Sequence, residues 1–248
     1  MPFPWPLIAI PAGDWDDSLE RQAIEMAAAH NAFIRSLNAI HAQADTIRDD
    51  QAKDFAFFCV SFCEMLHHHH DIEESMVFPF FETKLGAGAM SDNVSQHRAF
   101  DASFSSFQSW FQEVYDGKAT YSAPVALEKV DALGDVLVSH LAAEIPTIHA
   151  DKLRAAGFKA QDFKDLEKRM MSVILKDISF FTSMPMGILS HDRESLPEFP
   201  PLPKPLLWAV RYGFSWKFAK SWEFAPCDWE GKVKAGLGNV PLGSRVAA

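Results

Sequence analysis

The stretch 66–82 reads Leu-His-His-His-His-Asp-Ile-Glu-Glu-Ser-Met-Val-Phe-Pro-Phe-Phe-Glu. Residues four apart share a helix face, so either His69 with Glu73 or His70 with Glu74 projects an imidazole and a carboxylate to one side. That is half of a metal site. The flanking pattern bears on the register: Phe55, Cys59, Phe62, Leu66, His69, Glu73, Met76 and Phe80 follow the 4-3 spacing of a helix seam turned toward a bundle core. A second stripe, Cys63, His70, Glu74, Val77 and Phe81, is almost as apolar. His69 and Glu73 are therefore the expected ligands, and His70 and Glu74 the alternative register. A solvated, tag-like run of histidines fits poorly, because an apolar seam passes through it and a buried ionised Glu without a partner is costly.

Four helices are expected to carry the chemistry. The first spans about 14–46, with Asp16 or Asp17 as cap and His30 in its seam; His41 is peripheral. The second spans about 49–84, with Pro79 kinking or stopping its end. The third, about 91–115, places His97 on a face with Phe100, Phe104, Phe107 and Phe111. Asp101, one turn beyond His97, reads as a ligand, as an acceptor orienting a ligand imidazole or as a solvated neighbour, the last two being preferred. The fourth spans about 124–155 and repeats the His-x-x-x-Glu device as His140 and Glu144, with Pro146 following.

Positions alone test whether these clusters meet. In an up-and-down bundle with short loops, residues at one height lie symmetrically about the turns that connect their helices. The midpoints fall near Asp49 and Asp50, at Lys84 and near Ala119, each beside an expected turn. Four imidazoles and two carboxylates thus share one level, which suits a dinuclear centre with carboxylates as bridges. Such N/O donors fit iron or manganese and, less distinctively, zinc.

Taken in order, these residues resemble a hemerythrin-like domain of the HHE cation-binding type. The similarity covers about residues 15–155 and rests on His30 in His-Asn-Ala-Phe-Ile, His69 and Glu73, His97 in Gln-His-Arg-Ala-Phe, and His140 and Glu144 in Ser-His-Leu-Ala-Ala-Glu-Ile-Pro. The resemblance implies an all-α, up-and-down four-helix bundle. It also implies a non-haem centre of two iron ions, with Glu73 and Glu144 bridging and His30, His69, His97 and His140 terminal. The oxygen-carrying hemerythrins have a second histidine where this chain has Asp101, and a wider His-to-Asp spacing where it has His140 and Glu144. Fewer imidazoles and more carboxylate bring the expected centre closer to O2-activating di-iron proteins.

The rest of the chain sets limits. A composition 48% apolar and 23% charged suits a soluble protein, and a net charge of -10 argues against nucleic acid as a partner. Three cysteines, Cys59, Cys63 and Cys227, suggest a reducing, cytoplasmic setting rather than a disulfide framework. The proline-broken segment 1–14 reads as an arm on the domain surface, not a signal peptide or membrane span. Residues 156–248 form a C-terminal extension: a fifth helix through Phe163, Leu166, Met170, Val173 and Phe180, a proline-rich connector, and an aromatic and basic segment from Trp208 to Trp222. That segment is expected to fold back over the bundle rather than meet a membrane or partner. The expected function is binding or sensing of O2, an O2-derived ligand or NO. The alternative is an oxidase or oxygenase acting on a small organic substrate, and a structural zinc or metal-free bundle is a third reading.

Overall fold

The computed structural model describes residues 4–237, so residues 1–3 of the expected arm and 238–248 of the expected extension lie outside the described residues. Helix α1 (Ser18–Gln43) starts where Asp17 accepts hydrogen bonds from the backbone N–H groups of Leu19 and Glu20. Helix α2 (Ala52–Ile72) passes through a π-helical turn (Glu73–Val77) into α3 (Phe78–Leu85). Helix α4 (Ser91–Tyr115) follows a turn in which Gly86 and Gly88 take φ of 102° and 79°, conformations that strain any residue with a Cβ. Helix α5 (Ala123–Glu144) completes a ring in which α1 and α4 each pack on both α2 and α5. The fold is the expected all-α four-helix bundle with additional C-terminal structure.

Two of the expected helices are interrupted, each near a proline. The fourth ends at Glu144 and continues as a 3-10 turn (Ile145–Ile148) and a short α6 (Ala150–Ala155), because Pro146 has no N–H to donate and its ring crowds the preceding turn. In the second, the π turn takes up Pro79: its wider loop adds one residue before the helix resumes. The seam shifts accordingly. Up to Glu73 the first stripe is buried apart from the half-buried His69, with Cys63 of the second stripe buried beside it; beyond Glu73, Val77, Phe78 and Phe81 are buried, while the expected Met76 and Phe80 are only partly so.

The core falls into two clusters. One holds Leu37, Phe55, Phe58, Phe62, Phe107, Phe111 and Leu137. The other holds Phe78, Phe81, Ile148, Leu153, Phe158 and Phe163. The chemistry-bearing side chains sit between them on every bundle helix: Ala27 and Phe33 flank His30, Leu66 and Val77 flank His69 and Glu73, and Leu141 and Ile145 flank Glu144.

The flanking segments clamp this bundle. Asn38 bonds both the N–H and the carbonyl of Trp5, and Asn31 does the same for Ile8, so two amides on α1 hold the N-terminal arm as a partner strand would. Trp5 is buried against Gly134 of α5, where a Cβ would stand 2.1 Å from its ring. Helix α7 (Ala160–Asp177) packs on α1 and the π turn, and α8 (Ser183–Ser190) on α1 and α2. After α9 (Lys204–Ala209) the chain runs on in short turns. Phe218 stacks on Phe57 at 3.9 Å between centroids, and Trp222 and Phe224 join the larger core. Trp208, Tyr212 and Trp216 of the same segment remain exposed. No helix among the described residues is long and apolar enough to cross a membrane.

Candidate metal centre

Five imidazoles and two carboxylates converge between the two clusters. Three groupings have ligand atoms all within 4.8 Å of one another: His30, His69 and Glu73; His70, His97 and His140; and Glu73, His97 and Glu144. Glu73 belongs to two of them. Its Oε1 is 2.8 Å from His69 Nε2 and 3.9 Å from His30 Nε2, and its Oε2 is 3.6 Å from His97 Nε2. Glu144 Oε2 lies between the same two sides, 3.7 Å from His30 Nε2 and 3.6 Å from His140 Nε2. Each carboxylate therefore faces imidazoles of both groups, as a bridge requires.

Three rings are held by their other nitrogen. His30 Nδ1 is 2.8 Å from the carbonyl of Leu141, His97 Nδ1 2.7 Å from Glu74 Oε1, and His140 Nδ1 3.0 Å from Gln96 Oε1. An Nδ1–H donated to these oxygens leaves the Nε2 lone pair of each ring aimed inward, which is the tautomer a cation needs. Apolar rings fill the surroundings: Phe33 lies 5.0 Å from His69, Phe78 5.6 Å from His97 and Phe100 5.7 Å from His140, between centroids.

The electrostatics are strained without a cation. Burial lowers His30, lowers His70 well below the ordinary imidazole range, and takes His140 down to about 3, with neighbouring imidazoles adding to the effect in each case. Burial, reinforced by the Glu73 charge, pushes Glu144 well above the usual carboxyl range. For Glu73 burial acts upward too, but the imidazoles of His69 and His30 outweigh it and hold the carboxyl well below its usual value. Burial thus favours the neutral forms of His30, His70 and His140 beside two crowded carboxyl groups.

The five Nε2 atoms and all four carboxylate oxygens of Glu73 and Glu144 are buried without a well-formed hydrogen bond. A bound cation would satisfy these atoms, and the donors present, imidazole nitrogen and carboxylate oxygen, are those of transition-metal sites.

His30, His69, Glu73, His97, His140 and Glu144, the residues singled out by spacing, all stand in this cluster. His70 stands there as well, and Glu74 reaches it as the acceptor beside His97. Both registers on α2 thus contribute, because His69 and His70 lie on either side of Glu73. Asp101 is exposed. Gln96 and the Leu141 carbonyl escaped the sequence reading, since their roles depend on which helix faces which. The other two histidines of the run point elsewhere: His67 is exposed beside Asp71, and His68 does not join the cluster.

A four-helix bundle with a buried, carboxylate-centred ring of imidazoles defines a helical metal-binding domain. Residues 24–148 match the hemerythrin HHE cation binding domain, and the chain belongs to that family. Among curated proteins it is similar to the dimeric xanthone biosynthesis cluster protein R11 of Cryptosporiopsis sp. (strain 8999), with 29% identity over 241 residues, covering 93% of this chain and 89% of the relative. No solved structure matches.

Proposed function

We propose that this chain is a non-haem di-iron protein that takes a small oxidant, O2 or NO, at the cluster centred on Glu73 and Glu144. The observation that carries the reading is the set of buried Nε2 and carboxylate oxygen atoms, without well-formed hydrogen bonds, arranged on two sides of shared carboxylates. Iron would supply redox chemistry toward O2, which the protein's own imidazoles and carboxylates lack. Manganese and zinc have compatible donors; the mixed N/O set favours iron for this purpose. The chain's part is to present ligands and exclude water. Leu141, Glu74 and Gln96 fix the rings, while Phe33, Phe78 and Phe100 keep the site apolar.

A second reading is an O2-dependent oxidase of a small organic substrate. The similarity to a protein named for a dimeric xanthone biosynthesis cluster favours it, because that similarity spans 93% of this chain and so reaches well beyond the bundle. The test is anaerobic reconstitution with Fe(II), followed by metal analysis, an optical spectrum in air and O2 uptake. About two irons per chain and a band that vanishes on deoxygenation support binding or sensing. The same iron content with irreversible oxidation and continued O2 uptake supports the oxidase. A protein that takes up no iron refutes both.

A further inference from the structure

We infer that His70 is a metal ligand in its own right, so that adjacent histidines on α2 serve opposite sides of the centre. This rests on the dinuclear reading above. His69 belongs with His30, their centroids 5.3 Å apart, on the side faced by Glu73 Oε1. His70 lies across from it, its centroid 4.2 Å from His97 and 5.6 Å from His140, on the side faced by Glu73 Oε2. The Nε2 atoms of all three rings on that side are buried and unpartnered.

A bystander role explains this arrangement poorly. Buried ring nitrogens without a partner also occur at His68 and His191, but His70 brings a ring nitrogen within 4.8 Å of ring nitrogens of both His97 and His140. Three ring nitrogens directed into one space have no hydrogen-bond partner to share there, and a cation between them would coordinate all three. Neighbouring residues on a straight helix point about 100° apart. The two sites separated by Glu73 make that divergence useful. The centre so built is unequal, with three imidazoles on the His97 side and two on the His30 side. Its fifth imidazole comes from the second helix, since the position one turn beyond His97 holds the exposed Asp101.

The experiment uses the full chain, stripped of metal and titrated anaerobically with Fe(II), alongside His70→Ala, His70→Gln and the control His67→Ala. Wild type and His67→Ala should take two ions per chain. Each His70 variant should keep one ion and bind the second at least 10-fold more weakly. A second measurement needs no variant: in the Co(II)-loaded wild type, each ligated imidazole contributes a strongly shifted, exchangeable N–H proton signal, five with His70 and four without. Two ions bound with wild-type affinity by folded His70 variants, or four such signals, overturn the inference. A wild type that takes a single ion refutes the dinuclear reading instead; loss of that ion in the His70 variants then still makes His70 a ligand, and its retention overturns the assignment. A wild type that takes none overturns both.

Discussion

Replacing Gly134 by Ala should destabilise this protein, although the same change in an ordinary helix stabilises. Gly134 lies inside α5, where Ala in place of Gly gains about 1 kcal/mol. Here the added Cβ would stand 2.1–2.6 Å from three atoms of the Trp5 ring, which is only 4% exposed and cannot stay where it is. Expelling Trp5 forfeits burial comparable to a core Trp→Ala change, about 3–5 kcal/mol, together with the 2.9 Å hydrogen bond from Trp5 Nε1 to Asp135. The net expectation is a loss of about 2–4 kcal/mol, or roughly 5–15 °C in Tm for a chain of this size. Urea unfolding of Gly134→Ala, Trp5→Ala and the double variant gives the assay. In the Trp5→Ala background Gly134→Ala should change sign and stabilise by up to about 1 kcal/mol. Equal destabilisation in both backgrounds would refute the argument that Gly134 is reserved for the arm.

The remaining expectations concern the centre and its surroundings. Glu73→Ala and Glu144→Ala should each lose at least one iron, because each carboxylate faces both imidazole groups; two full equivalents in both variants, by metal analysis, would rule out bridging. Glu74→Gln should weaken metal binding about 10–100-fold without removing a ligand, since it loosens the His97 ring; an unchanged titration would show that Glu74 does not orient it. His191 is brought down to about 4, chiefly by burial, against its bond to the Gly187 carbonyl and with the Arg35 and Arg193 charges adding to the fall. Its unfolded form binds a proton first, so stability should drop as pH falls from about 6.5 toward 4, and His191→Gln should make that slope shallower in urea melts of metal-free protein, where the lowered His30, His70 and His140 keep the rest of it.

Most of the bundle is legible in the chain because helix seams repeat every three or four residues and turns carry Gly or Pro. His30, His97, His140 and Glu144 stand out as polar residues in apolar stripes, and their symmetry about the turns places them at one level. The sequence is less informative where an interaction joins distant segments. Gln96 looks like any exposed amide until α4 faces α5, and Gly134 looks like a weak point in a helix until Trp5 lies on it. On α2 both stripes were visible, but no local signal says that beyond Glu73 the second alone, through Val77 and Phe81, turns fully inward. That change depends on the π turn, and through it on Pro79 and the packing of Phe78 and Phe81 on Phe158 and Phe163.

Segment 73–77 therefore acts as a phase shifter between two rhythms of the same helix. Removing one residue from it would restore an unbroken α period yet rotate everything downstream by about 100°, swinging Phe78 and Phe81 away from α7 while leaving His69 and His70 in place. Substitutions there change a side chain, whereas a deletion changes which half of the molecule agrees with the other. A Ser75 deletion should keep more of its metal than of its thermal stability, as metal analysis and melting of one preparation would show. Seen this way, the length of five residues couples the metal site to the cluster of Phe78, Phe81, Phe158 and Phe163, and in this stretch spacing carries information that residue identity does not.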